Sequence, residues 1–301
     1  MKRTALYISS LFCFLILPCS AEQDDINRPA LGMTVVDIPQ DPDLIRLFTK
    51  ALKSPTQMHW PGRQGAVVVN VLDGSNAAAE KIRIGDLIVQ IGKVKIKSAT
   101  DVNSSLKKVK VGDEIRLVFR YPEFSGGRIK WVLKGVEITV QSYLELIKKQ
   151  LVTSNDKLSG LRYTSHKDAD QGLTTNRVSL KLASKEGIQI PVIKVMYRGD
   201  TWLFVDSLTF LVDGKKIEVD PEYSEFTREN THEFCWEWVN LVGNPDSPTD
   251  SIWEICKLLQ DCESASIFYH GKKFREEHEL SHTELSEIKV LLEYLQYQRG
   301  N

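Results

Sequence analysis

The hydrophobic positions of this chain recur with two different periods, and the changes of period mark out its elements. Val67, Val69 and Val71 alternate with Val68, Asn70 and Leu72, a β-branched run that predicts a strand. Gly74-Ser75 breaks that run, and Ala77-Ala78-Ala79 suits a short, closely packed helical turn. Gly85-Asp86 predicts a tight turn, because Gly tolerates positive φ and Asp bonds its own backbone. Leu87 to Ile91 is nearly continuously apolar, the pattern of a strand buried on both faces. Ser98 or Thr100 can cap a helix over 99–109 with Asp101 in its first turn. Val102, Leu106 and Val109 recur along that helix at core spacing. Ile115, Leu117 and Phe119 share one face of a further strand. Ser125-Gly126-Gly127 then turns the chain into a strand over 129–140, and 141–152 predicts a helix with Leu144, Ile147 and Leu151 on one side.

Thr153-Ser154-Asn155-Asp156 is a polar break and reads as a linker. Beyond it, strands are expected over 177–183, 188–197, 202–211, 216–219 and 233–241, with Asp213-Gly214 as a hairpin turn. Helices over 250–259 and 283–297 frame one more strand at 266–269. Trp236 and Trp238 alternate on one strand and so share a face, which reads as an aromatic-filled core before it reads as a carbohydrate platform.

Composition agrees with two globular domains: 301 residues, 42% hydrophobic and 26% charged. The 39 basic and 40 acidic side chains give a net charge of -1, so no basic field points to nucleic acid or an anionic membrane as partner. Residues 1–21 read as a signal peptide: Lys2 and Arg3, an apolar stretch from Ala5 to Leu17, then Pro18 and the small residues Cys19-Ser20-Ala21. Export to a bacterial periplasm or medium is therefore expected. Lipid anchoring at Cys19 is disfavoured, because Pro18 precedes it where a small residue is wanted. No other segment is long and apolar enough to be transmembrane. Of the five Cys, Cys235, Cys256 and Cys262 lie past the signal, an odd number that makes no disulfide framework. A Cys256–Cys262 bridge and buried free thiols both remain open.

Several short signals stand in one diagnostic order: Leu31-Gly32-Met33, Thr34-Val35-Val36, Gly65-Ala66-Val67-Val68-Val69, Gly74 to Ala79, Ile84-Gly85-Asp86-Leu87-Ile88-Val89, and Gly112-Asp113-Glu114-Ile115-Arg116-Leu117. The string over 29–121 resembles a PDZ domain of the bacterial HtrA type. The resemblance implies a partly open β-barrel or sandwich with capping helices. It also implies a partner that is a protein or peptide C-terminus, added as an extra strand by β-augmentation. On that likeness Leu31, Gly32, Met33, Val35, Asp101 and Ser105 form the peptide-binding set. The Gly32 and Met33 amides would meet a terminal carboxylate, Leu31, Met33 and Val35 would line an apolar pocket, and the helix face with Asp101 and Ser105 would form the opposite wall. A departure lies at 39–61, a polar excursion in which Leu44, Ile45, Leu47, Phe48 and Leu52 predict a short amphipathic helix able to cover the groove. The later half is loosely similar to secreted bacterial domains of unassigned role, through Gly199-Asp200-Thr201-Trp202-Leu203-Phe204 and His270-Gly271.

The expectation is an α+β protein: a PDZ-like domain with a hairpin extension over 29–142, then a strand-rich α+β domain with two late helices over 157–299. It is expected to need no cofactor and to do no chemistry. An HtrA protease carries a trypsin-like domain ahead of its PDZ unit, whereas about ten residues separate Ala21 from Leu31. Two alternatives stand beside it. One is an adaptor whose C-terminal domain is the main interface and whose PDZ fold is structural. The other is a zinc hydrolase using His278-Glu279-Leu280-Ser281-His282, with Glu293 as a third ligand. Against the latter, Glu276, Glu277 and Glu284 surround the motif, and Ser281-x-x-Glu284 reads as a helix start, which would separate the two His.

Overall fold

The computed structural model describes residues 26–300 apart from 41–44, 47–48, 51–53, 55–56, 127, 170–174 and 248. The chain divides between Lys149 and Gln150 into two units. In the first, β2 (Met33–Asp37), β3 (Ala66–Val71), β4 (Leu87–Ile91), β6 (Glu114–Ser125) and β7 (Arg128–Thr139) lie in that order as an antiparallel sheet. The short β5 (Val94–Lys95) pairs with β4, and β1 (Pro29–Ala30) pairs separately with β8 (Gln141–Ser142). The strands are accompanied by helices α1 (Asn76–Ala79), α2 (Ala99–Leu106) and α3 (Tyr143–Gln150).

Alternation along the strands splits the apolar residues into two clusters. Leu31, Val68, Ile88, Leu117 and Phe119 pack on one side with Ala77 and Val102. Val36, Val67, Val69 and Leu87 form a second cluster with Met58 and Trp60. Both clusters are needed because β3 and β4 carry apolar residues at successive positions, which only a sheet covered on both faces can bury. Helix α2 starts at the N-cap Ser98, where a capping box with Asp101 satisfies its first amides.

The second unit contains a six-stranded sheet in the order β15 (Thr227–Asn230), β16 (Cys235–Val242), β12 (Ile188–Gly199), β11 (Arg177–Lys185), β10 (Arg162–His166), β9 (Leu151–Asn155). A four-stranded sheet runs β14 (Lys215–Val219), β13 (Val205–Val212), β17 (Ala265–Gly271), β18 (Arg275–Glu279). Helix α4 (Ser251–Asp261) packs on β12, β13 and β14, while α5 (His282–Gly300) packs on β10, β11 and α4. The fold class is α+β, and among the described residues the sheets are open and none closes into a barrel.

The polar run 153–156 is a strand end and not a linker. Thr153, Ser154 and Asn155 pair with Thr164, Tyr163 and Arg162, and β9 follows α3 with no intervening residue. It is polar because it is an edge strand, half of whose backbone faces water. Cys235, Cys256 and Cys262 are free and buried, with no Cys256–Cys262 bridge, and burial pushes the Cys256 thiol up to about 12.

One buried carboxylate organises the second unit. Glu237 is 1% exposed. Its Oε1 accepts from the amides of Leu203 and Phe204 at 2.8 and 2.7 Å, and its Oε2 from the Val205 amide at 2.9 Å and Arg228 Nε at 3.1 Å. Those bonds hold Phe204 at φ +54°, a conformation costly for a non-glycine residue. Replacing Glu237 with Leu removes the acceptor for three amides, two of them buried, and takes the counter-charge from Arg228, which keeps its bonds to the Tyr223, Phe226 and Val205 carbonyls. The expected loss is about 3–5 kcal/mol, read as a lower urea midpoint for this unit.

Candidate functional site

The turn between β1 and β2 is Leu31-Gly32, and its shape is dictated by what lies beneath it. Gly32 has φ +77°, and a Cβ at this position would stand 2.1 Å from the Ser75 Cβ, so only glycine fits. Ser75 is itself committed as the N-cap of α1, its hydroxyl accepting from the Ala78 amide. The Gly32 carbonyl accepts from the Leu72 amide at 2.8 Å, tying the turn to the end of β3. The Asn76 amide donates to Gln141 Oε1 at 2.7 Å, and Lys149 Nζ donates to the Gly74 carbonyl at 2.9 Å. The segment after the last long strand therefore buttresses the turn from outside.

From Met33 the chain enters β2, which pairs with β3 on one side and, among the described residues, with nothing on the other. Its free edge thus exposes backbone donors and acceptors to an incoming strand. Met33 and Val35 point to the side of the sheet carrying α2, where they pack, half-buried, against the same cluster as Leu106 and Val109. Val36 points the other way. Asp37 continues the Met33–Val35 row, and its Oδ1 accepts from the Ala99 amide at 2.6 Å, joining the end of β2 to the start of α2.

The expected binding set is therefore redistributed. Met33 and Val35 lie on the open-edged strand, and Gly32, itself buried, stands just before it. Leu31, 2% exposed, is core and lines no open pocket. Asp101 is occupied in capping, its Oδ2 accepting from the Lys97 and Ser98 amides, and those bonds hold its carboxyl below the usual range. The Ser105 side chain is buried and donates to the Asp101 carbonyl at 2.7 Å, as hydroxyls inside helices often do. Both residues bond the backbone of their own helix start; Ser105 is buried, while Asp101 stays partly exposed. Asp37 was not marked by sequence reasoning, although an acid two positions beyond an apolar pair on one strand was a usable signal.

The excursion at 39–61 does not cover the edge where it is described. Ile38, Ile45, Met58 and Trp60 pack on the opposite face of the sheet with Val36, Val67, Val69 and Trp131. Trp131 Nε1 donates to the His59 carbonyl at 2.8 Å, fastening it there. Helical backbone is present at Ile45, Arg46, Thr49 and Lys50, while Leu44, Leu47, Phe48 and Leu52 lie outside the described residues.

The His278–His282 motif does not sit on one helix. His278 and Glu279 end β18, and His282 opens α5. His278 Nε2 is hydrogen-bonded at 2.9 Å to Glu284, whose other oxygen accepts from the Ser281 amide and hydroxyl. Among the described residues no three His, Cys, Asp or Glu side chains are arranged to hold a metal ion.

The turn before β4 carries a buried acid. Asp86 is 2% exposed, and burial pushes its carboxyl up to about 6, against the pull of the Arg83 amide and of the Arg83 and Lys134 charges. A raised carboxyl pKa means that the ionised form costs stability, a penalty present above about 6 and absent below the unfolded value near 3.8. Asp86→Asn, which keeps an acceptor for the Arg83 amide, is expected to stabilise the chain at pH 7.5 by about 1–3 kcal/mol. The gain should shrink as pH falls through 6 and vanish near 3.8, measured by denaturant melts of both proteins at each pH. Gly32→Ala is expected to cost about 2 kcal/mol or more, since its Cβ meets Ser75 at forbidden distance in a strained backbone, and the same melts report it.

Comparison with known families matches residues 29–120 to the PDZ domain. Two curated relatives align over 94 residues at 32% identity: the serine protease Do-like HtrA of Lactococcus lactis subsp. lactis (strain IL1403) and that of subsp. cremoris (strain MG1363). In each case the alignment covers 31% of this chain and 21% of the relative, so the chain spans about a fifth of the length of the proteases it matches. No helix among the described residues is long and apolar enough to cross a membrane. The ordered glycine turn, the antiparallel sheet with its free β2 edge and the matched relatives agree: residues 29–120 are a PDZ domain of the HtrA type, a peptide-binding module.

Proposed function

We propose that this protein captures the C-terminus of another polypeptide on the free edge of β2 and performs no chemistry on it. The observation that carries the reading is the β2 edge beside the Gly32 turn, unpaired among the described residues, with the half-buried Met33 and Val35 facing the side of α2. An incoming chain adds antiparallel to Thr34-Val35-Val36, its terminal carboxylate at the Gly32 and Met33 amides and its last side chain against Met33 and Val35. Backbone pairing supplies affinity that is blind to sequence, and the apolar contact supplies the selection.

Two further parts of the reading rest on other grounds. The absence of catalysis is supported by the extent of the likeness to the proteases, which stays within the PDZ region, and by the His278 ring being engaged with Glu284. Export rests on the charged start at Lys2 and Arg3 followed by the apolar stretch from Ala5 to Leu17.

A library of C-terminal peptides tests the main claim. Peptides ending in a free carboxylate and an apolar residue are expected to be enriched, and amidating that carboxylate should abolish enrichment. Met33→Asp, in a protein whose circular dichroism is unchanged, should weaken binding about tenfold or more. No enrichment by a folded protein would overturn the reading. Metal analysis of purified protein should find no stoichiometric zinc, and zinc lost on replacing His278 would overturn its non-catalytic part.

A further inference from the structure

We propose that Asp37 makes this site selective for a chain whose third-from-last residue is Lys or Arg. The inference rests on the peptide reading above and adds to it the chemistry of the partner. Side chains on one face of a strand recur every second residue, about 6.8 Å apart. On β2 the row facing α2 is Met33, Val35, Asp37, because Met33 and Val35 join the cluster on that side and the Asp37 carboxylate reaches the first residue of α2. An antiparallel peptide anchored by its carboxylate at Gly32 places its last side chain beside Met33 and Val35. Its penultimate side chain points away from that row. Its third-from-last side chain returns to it between Val35 and Asp37.

The chemistry at that position is unambiguous in sign. Asp37 is exposed, and only Oδ1 is used, by the Ala99 amide; among the described residues no group donates to Oδ2. The second carboxylate at the helix start, Asp101, accepts from the Lys97 and Ser98 amides through Oδ2 and lies beside the charge of Lys97, whereas Asp37 has no cation of this chain paired with it among the described residues. The Ala99 bond fixes Asp37 in place at the start of α2, so the carboxylate needs no further ordering to meet a cation. An ammonium or guanidinium entering there finds a held anionic acceptor, whereas an acidic side chain meets repulsion from Asp37.

The test uses the full chain and fluorescent hexapeptides ending in a free-carboxylate Val, identical except for Lys, Ala or Glu at the third position from the end. Fluorescence anisotropy is expected to show the Lys peptide bound about five- to tenfold more tightly than the Glu peptide, a ratio that narrows in 0.5 M salt. Asp37→Asn keeps an oxygen for the Ala99 amide and removes the charge, so the ratio should collapse to about one. An indifferent or Glu-preferring wild type would overturn the inference while leaving the peptide reading intact, and so would a Lys preference that survives in Asp37→Asn. Failure of all three peptides to bind the folded chain would overturn the peptide reading and the inference with it.

Discussion

The site depends on a single backbone conformation, the positive φ of Gly32 above the Ser75 side chain. A left-handed residue at that point reverses the chain between β1 and β2, so that β1 leaves to pair with β8 and β2 starts with one edge unclaimed among the described residues. Were β1 and β2 one continuous strand, the same backbone groups would run on toward a partner within the protein. The conformation is held from several sides: the Leu72 amide on the Gly32 carbonyl, the α1 cap at Ser75, and the Gln141 and Lys149 side chains on the residues flanking that cap. Preorganisation of this kind removes the ordering cost that a flexible edge would levy on binding.

The two apolar clusters explain why, among the described residues, no strand pairs with that edge. An edge strand is a hazard that proteins usually cover or charge. Here the polar excursion after Asp37 spends its described apolar residues, Ile45, Met58 and Trp60, on the far face of the sheet. The face beside α2 keeps Met33 and Val35 only half-buried. At β2 burial is thus unequal between the faces: Val36 is buried on one, while Met33 and Val35 on the other are half-buried next to the free backbone.

Where burial drives an element, the sequence was legible. The alternating valines of β3, the continuous run of β4, the Ser98–Asp101 cap and the glycine turn all follow from local chemistry that the fold merely accepts. The elements that escaped notice include β9, β10, β15 and β18, short strands mostly at sheet edges and largely polar or charged, besides the two-residue strands β1, β5 and β8. Arg275-Glu276-Glu277-His278-Glu279 carries no period at all, because one side of it pairs with β17 and the rest meets water. The roles of Leu31, Asp101 and Ser105 were misplaced for a related reason. Spacing tells which residues share a helix or strand face, but not that Asp101 and Ser105 turn their oxygens back on the helix backbone, nor that Leu31 sinks into the core. Asp37 and Glu237 act through bonds to residues distant in sequence, which no local pattern contains.

The three interior thiols carry a last consequence. Disulfide exchange needs a thiolate that can reach a partner sulfur, and burial denies both access and ionisation. With the Cys256 thiol held near 12, a negligible fraction is anionic at neutral pH, and Cys235 and Cys262 are equally enclosed. In an oxidising compartment these three thiols of the folded protein would be slow to exchange. Its exposure to wrongly paired cysteines would be confined to the interval between synthesis and collapse of the second unit, so speed of folding, and not redox poise, would guard its integrity.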